Sequence, residues 1–436
     1  MGVEIMRDSK FISEYKVSIV NTTPLKIGNG KDEMDILIDK NTQKPFILGS
    51  SIAGAMKSYL IDLGEEDSVN RVFGSEIDNG GDSKIYIYDS IGNKLEISSR
   101  PGIRRSYEYG TSLDKGKYET SFIDIDTHFE MRIKLLAKDK EELDMEKDLI
   151  RKSIGGFISS NLRLGANKMN GFGSFKVDKV EVADFNLSKK EDLKNYILDN
   201  KTFKNINIEK FEEENNNGYI EFSFKGEVID SIIVKQNLES DEIDCENMKN
   251  SKKEDIIPGS TIKGLIREYS TKILNTLDKD ISIVEKIFGN SPDNKENHTI
   301  GRLLAQDVVI KNPKYCTYNR IKVDRFTGGV ITSGKFNEKR VKGNVEIKLS
   351  LRKLSDENET KVAIGMIAMT LRDLGLSKLT IGSSSSVGSG RFLGKEIDII
   401  DNNKKMKIDF NDSLEISDKS YIDQSIEAIM KIKTSY

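Results

Sequence analysis

The sequence predicts an α+β protein built from two tandem ferredoxin-like (RRM-like) units, and three observations lead there. The 436 residues exceed what one hydrophobic core usually serves. The chain aligns on itself: FILGSSIAGAMKSYL (46–60) lies without a gap on IIPGSTIKGLIREYS (256–270), a shift of 256 − 46 = 210 residues. Within each copy the apolar pattern reads strand, helix, strands, helix, strand, the order of a ferredoxin-like fold with insertions.

Three further blocks repeat in the same order. Val72-Phe73-Gly74 matches Ile287-Phe288-Gly289, and RPGIRRSYEYG (100–110) matches RIKVDRFTGGV (320–330). GANKMNGFG (165–173) falls on GSSSSVGSG (382–390), so Gly165, Gly171 and Gly173 overlie Gly382, Gly388 and Gly390. The copies are therefore expected at 1–182 and 218–400. Residues 183–217, rich in Lys, Asn and Glu, read as a linker, and 401–436 as a C-terminal extension.

Taken in order, YKVSIV (15–20) and YIEFSF (219–224) alternate apolar and polar residues as half-buried strands do. An irregular loop follows each. Ser50 or Ser51, and Ser260 or Thr261, then stand where a helix N-cap is expected, ahead of apolar residues at helical spacing. Strand-like runs follow at KIYIYD (84–89) and VEIKLSL (345–351). Second helices are expected at EKDLIRKSIGGFISSNL (146–162) and VAIGMIAMTLRDLGL (362–376), and each copy closes with a Gly-rich turn and a strand. The sheet of each copy presents one open face.

Composition narrows the chemistry. The chain is 36% hydrophobic and 32% charged, and no window approaches the roughly 18 consecutive apolar residues of a membrane span. The N-terminus lacks a secretory signal and the only cysteines are Cys245 and Cys316, which fits a reducing cytoplasm and rules out a cysteine-based zinc site. With His128 and His298 the only histidines, hydrolysis would rest on carboxylates and a metal. A net charge of -3 argues against indiscriminate coating of nucleic acid. Local charge differs: residues 322–353 hold nine Lys or Arg against three acids, and Arg100, Arg104, Arg105, Lys115 and Lys117 cluster in the first half.

Three motifs can carry chemistry. The Gly-rich turns suit either a phosphate nest or a tight helix-to-strand turn. The basic segments from Arg100 to Lys117 and from Arg320 to Lys342 interleave tyrosines and phenylalanines, which suits stacking of single-stranded RNA or an ordinary hairpin with solvated arginines. The loops before the first helices hold Asp32, Glu33, Asp35 and Asp39, and Asp230, Glu239, Asp241, Asp244 and Asp255. Such carboxylates are either solvated or able to hold Mg2+ beside a scissile phosphate. No GxxxxGK[ST] string exists, so GNGK (28–31) is not a nucleotide loop.

At these residues the chain resembles the RAMP superfamily. The likeness lies in TPLKIGNG (23–30), FILGSSIAGAMK, VFG and GANKMNGFG, and in IIPGSTIKGLIR, IFG, NRIKVDRFTGG (319–329) and IGSSSSVGSGR (381–391). It looks like the backbone subunits of type III CRISPR complexes, with two units fused. The resemblance implies guide-RNA binding, target RNA and other subunits of the complex as partners, no membrane, and β-hairpin thumbs at about 100–120 and 318–342. It places RNA contacts at Ser50, Ser51, Lys57, Arg100, Arg104, Arg105, Gly171 and Gly173, and at Ser260, Lys263, Arg267, Arg320, Arg325, Gly388, Gly390 and Arg391. It also implies a cutting aspartate in the loop before the first helix, matched by Asp35 as metal ligand with Glu33 beside it, and by Asp241 or Asp244 in the second copy. Leu48 and Ala53 stand where the second copy has Pro258 and Lys263, which implies weaker RNA contact in the first. A non-catalytic scaffold, and an RNA-independent tandem module, are the alternatives; a histidine-dependent nuclease is disfavoured.

Overall fold

The computed structural model describes residues 9–28, 36–74, 82–105, 112–211, 218–237, 243–290, 299–402, 404–411 and 414–434. The chain divides into two units: Met1–Gly102, Tyr118–Lys168 and Phe172–Gly218 in one, Ile103–Lys117, Met169–Gly171 and Tyr219–Tyr436 in the other. Among the described residues no helix is long and apolar enough to cross a membrane.

The first unit opens with β1 (Phe11–Asn21), whose alternation buries Tyr15, Val17 and Ile19 on one face. There follow α1 (Gly49–Asp62), α2 (Glu66–Phe73), β2 (Ile85–Ile87), the paired strands β3 (Ile97–Arg105) and β4 (Ser112–Ile123), and β5 (His128–Ala137). Then come α3 (Lys140–Ile158), β6 (Phe175–Asn186), α4 (Lys190–Ile197) and β7 (Lys204–Ile206). The sheet runs β7-β6-β1-β5-β2, antiparallel throughout, with Val17 opposite Met131 and Val180. Without β7 the spatial order is fourth, first, third, second strand, as the ferredoxin-like reading requires. Asp139 caps α3 by accepting from Glu142 N–H, which sets the helix start six residues ahead of the expected Glu146. Phe157 of α3 and Phe129 of β5 both meet Phe175 edge-on, centroids 6.1 Å apart.

One end of the other face of this sheet is covered by the segment expected to be a linker. β6 runs on to Asn186, and α4 and β7 bring Tyr196 and Phe203 over Ile12, Leu136, Ala183 and Phe185. Tyr196 lies edge-on to Phe185 at 5.3 Å, and Lys16 sits 4.1 Å over Phe203. The polar composition of 183–217 conceals a few apolar residues spaced too widely to show a period. They suffice because the sheet supplies the rest of the surface.

The second unit repeats the plan with additions. β8 (Tyr219–Val228), β9 (Lys235–Asn237) and β10 (Cys245–Asn247) lead to α5 (Gly259–Thr276), α6 (Ser282–Phe288) and β11 (Leu303–Ala305). The long strands β12 (Lys311–Val323) and β13 (Val330–Arg352) precede α7 (Glu357–Gly375), β14 (Leu376–Thr380) and β15 (Arg391–Asp401). β16 (Lys404–Phe410), β17 (Leu414–Ile416) and α8 (Lys419–Met430) close it. The path is β9-β10-β13-β8-β15-β16-β17, with β11 also on β13, so the same four-strand order recurs. The C-terminal extension adds two strands to this sheet and packs α8 on α7.

KIYIYD and VEIKLSL are both strands, as expected, but they hold different places in their copies. β2 pairs with β5 as β11 pairs with β13, and the counterpart of VEIKLSL is HFEMRIKLLA in β5. Of the two second strands, β2 lies within the expected KIYIYD run, whereas β11, three residues long, is too short for alternation to reveal.

Candidate nucleic-acid interface

The two repeated FILGSS and IIPGST blocks form the starts of α1 and α5, but the serines do not cap them. The helices begin at Gly49 and Gly259, after Leu48 and Pro258, without a side-chain cap. Instead a carboxylate far along the chain accepts the first N–H: Asp89 from Gly49 at 2.7 Å and Asp307 from Gly259 at 2.9 Å. Glycine is needed at 49, since a Cβ there would sit 2.2 Å from the Ile87 carbonyl oxygen. Ser50, Ser51 and Ser260 are thereby left exposed on the first turns. One and two turns on, the expected RNA cations are engaged within the fold: Lys263 is buried, half-buried Lys57 Nζ lies 3.5 Å from Gly74 O, and half-buried Arg267 donates to Gly289 O at 2.9 Å. Lys57 and Arg267 are 210 positions apart and hold the same carbonyl of the VFG and IFG blocks, which is a role in packing.

The Gly-rich turns match bond for bond. Gly173 N–H donates to Pro24 O and Gly390 N–H to Ser231 O; Leu164 N–H donates to Gly173 O and Ile381 N–H to Gly390 O. Ala166 and Ser383 donate to Lys26 O and Ile233 O. Gly173 and Gly390 have φ of 77° and 82°, and a Cβ would fall 1.9 and 2.0 Å from the Leu164 and Ile381 carbonyl oxygens. Of the two readings of these turns, the tight turn describes Gly173 and Gly390, whose N–H groups point into the fold. Gly171 also has a positive φ, 98°. Gly388 differs: φ is 84° and nothing lies within 4 Å of its would-be Cβ, so the crest from Ser385 to Gly388 is open to solvent.

Beside this crest Arg391 is paired with Asp230, Nε donating to Oδ2 at 2.8 Å and Nη2 to the same oxygen. The hairpin of β12 and β13 is the other exposed feature. Its tip is DRFTGG: the Asp324 carboxylate accepts from Phe326 and Thr327 N–H at 2.9 and 2.7 Å, which holds it below the usual carboxylate range and fixes the turn. Arg325 is exposed there and Phe326 is 99% exposed. Lower down, Arg320 is engaged rather than free, 3.5 Å from the fully buried Glu338. Glu338 also takes Arg340, itself buried, and Lys235 at 2.7 Å. Burial alone would raise this carboxyl, but hydrogen bonds from Lys235 and Arg340 outweigh it and hold it below the usual range. Arg340 lies 4.4 Å over Tyr318, and Lys339 4.6 Å over Tyr315. In the first copy β3 and β4 form the corresponding hairpin, where Arg100 stacks on Phe122 and Phe172 at 5.6 and 5.5 Å. The side chains of Arg104 and Arg105 are outside the described residues.

Glu33, Asp35 and Asp241 also lie outside the described residues, as do Asp32 and Glu239. The acids that are described are engaged. Asp39 accepts from Thr42 N–H and hydroxyl at 2.8 and 2.6 Å. Asp244 accepts from Asn337 N–H at 2.6 Å, and buried Asp255 accepts from Tyr315 hydroxyl at 2.8 Å, which pushes that phenol up to about 12. Among the described residues no three potential metal ligands cluster.

Sequence reasoning missed Asp89, Asp307, Lys235, Glu338 and Arg340. The two aspartates had a signal, each lying two residues beyond a second strand in its copy. Glu338 was visible as a lone acid in KFNEKR. The open sheet faces are poor base platforms. In the first unit Tyr196 and Phe203 cover one end of it, and the rest shows Glu130, Arg132 and Lys179. In the second it shows Glu221, Ser223, Lys225, Glu346, Lys348, Glu396 and Asp398, cross-linked by pairs such as Lys225–Glu396 at 2.7 Å and Lys405–Asp398 at 3.3 Å.

No curated protein matches the chain by sequence. Among solved structures it is similar to a chain of "Cryo-EM structure of the Type III-B Cmr-beta bound to cognate target RNA", at 18% identity and a TM-score of 0.31. That match covers 42% of this chain and 64% of the other, so it spans less than two thirds of that chain's length. The RAMP superfamily model matches residues 19–176 and again 227–392. Two matches of one family, covering most of the sequence and falling on the two repeated sheets, show that this chain belongs to the RAMP superfamily with two of its units in tandem.

Proposed function

We propose that the chain is a guide-RNA-binding backbone subunit of a type III CRISPR ribonucleoprotein effector, acting in antiviral defence with target RNA and the other subunits as partners. The observation that carries this reading is the β12–β13 hairpin. Strands of 13 and 23 residues project a fixed DRFTGG tip whose phenylalanine is bare of any packing, flanked by Arg325 and Lys322. Bases stack on exposed aromatic faces while neighbouring cations pair phosphates, and no structural need keeps Phe326 at a hairpin tip. The exposed serines at the starts of α1 and α5 and the crest at Gly388 supply further contacts on the RNA backbone.

The reading extends to cleavage of guide-paired target RNA in the first copy, by Asp35 with Glu33 beside it and Mg2+. The donor chemistry fits, since Asp32, Glu33 and Asp35 offer hard oxygen ligands within four residues. Bound there, Mg2+ would stabilise charge on a phosphoryl oxygen. In the second copy Asp244 is held by the Asn337 backbone, which favours a scaffold role there unless Asp241 alone suffices. The test is to challenge the assembled complex with complementary target RNA and Mg2+. Cuts at regular spacing, with one set lost on Asp35→Ala, are expected. Persistence of every cut in Asp35→Ala would remove the residue from the role, and guide retention without any cutting would make the chain a scaffold.

A further inference from the structure

The second copy sets its cations against its own carboxylates, and the pairs differ in how firmly they are held. Arg340 and Glu338 have side chains 1% and 0% exposed, and separating them would strand a buried charge. Arg391 and Asp230 are 46% and 36% exposed, and a pair so wetted is easily exchanged. Its geometry also falls short of the best an arginine can make. Both donors, Nε and Nη2, converge on the single oxygen Oδ2, whereas a phosphate offers two oxygens to the guanidinium fork.

The first copy shows what the site is without charge. Thr22 N–H donates to Ser174 O as Ile229 N–H donates to Arg391 O, so Thr23 and Ser174 occupy the places of Asp230 and Arg391. There the contact is a neutral bond, Ser174 N–H to Thr23 Oγ1 at 3.0 Å. The fold therefore needs no ion pair at this corner. Next to Arg391 the crest at Gly388 leaves open space through which a strand can approach.

We propose that Asp230 is an affinity-setting residue of the second copy: its carboxylate holds Arg391 until a phosphate of single-stranded RNA takes the guanidinium in its place. This rests on the reading that the chain binds guide RNA. Asp230 weakens binding by competing for the cation and by staying near the phosphate as a negative charge. The exchange makes capture at this corner dependent on a polyanion strong enough to displace an internal partner.

The experiment is a double-mutant cycle on the full chain, reading affinity for a labelled single-stranded RNA of guide length at fixed low salt. Asp230→Asn is expected to tighten binding about three- to five-fold, the scale on which an exposed ion pair moves an equilibrium. Asp230→Glu should return wild-type affinity, and the Asp230→Asn gain should vanish in an Arg391→Ala background. Unchanged melting temperatures establish that each variant is folded. An equal gain with and without Arg391 would mean a generic loss of negative charge and overturn the proposal, as would no gain at all. Failure of the wild-type chain to bind any RNA would instead overturn the RNA-binding reading, and this inference with it.

Discussion

Glu146 is a carboxyl that the fold has taken from water without giving it a partner. It lies buried on α3, neither oxygen meets a hydrogen-bond donor among the described residues, and burial, then Glu142, push its pKa up to about 8. Between about 4.5 and about 8 the folded chain binds a proton that the unfolded chain has lost. Stability is therefore full below the lower value and falls as pH rises through the upper one. Glu146→Gln should flatten that decline and raise stability by roughly 1–3 kcal/mol at pH 9, as part of the burial penalty remains for an amide. Melting temperature against pH checks it, and a variant curve parallel to the wild type would contradict it. At this scale sequence legibility was lowest. Glu146 looked like any helix-surface acid in EKDLIRKS, and Lys57 and Arg267 looked like RNA cations although they hold glycine carbonyls.

The Gly-rich turns show where a motif is legible and its cause is not. Their glycines stood out in both copies, yet two different demands lie beneath the same letter. Gly390 is closed in by the Ile381 carbonyl, whereas Gly388 faces open solvent. Gly390→Ala should cost several kcal/mol or prevent folding, because backbone must move as well as adopt a disfavoured φ. Gly388→Ala should cost only about 1–2 kcal/mol, the conformational penalty alone. Chemical denaturation separates the two, and equal costs would sink the distinction. Central elements such as β1, β8, α5 and α7 were readable because each carries its own period. β11 and β7 were not, because three-residue strands take their place from the sheet they join rather than from their own pattern.

For the whole chain, duplication made the sequence readable. Each copy served as a check on the other, so four blocks in one order fixed both the fold class and the family before any geometry. What duplication could not give is where the copies diverge: α4 and the edge strand β7 on the first sheet, the two added strands and α8 on the second, and the Asp230–Arg391 pair. The added elements lack a counterpart to align against, and the counterparts of Asp230 and Arg391, Thr23 and Ser174, carry no charge. The acidic loops before α1 and α5 also escape the comparison, since the second copy's acids at Asp244 and Asp255 have been taken into its own hydrogen bonding. The central claim concerns the whole molecule, that it carries guide RNA. Isolation of the chain from its native host under mild salt, with sequencing of the co-purified RNA, tests it most directly. Recovery of CRISPR guide RNA, diminished by Phe326→Ala with Arg325→Ala, is the predicted result; a chain that returns no RNA above background would contradict it.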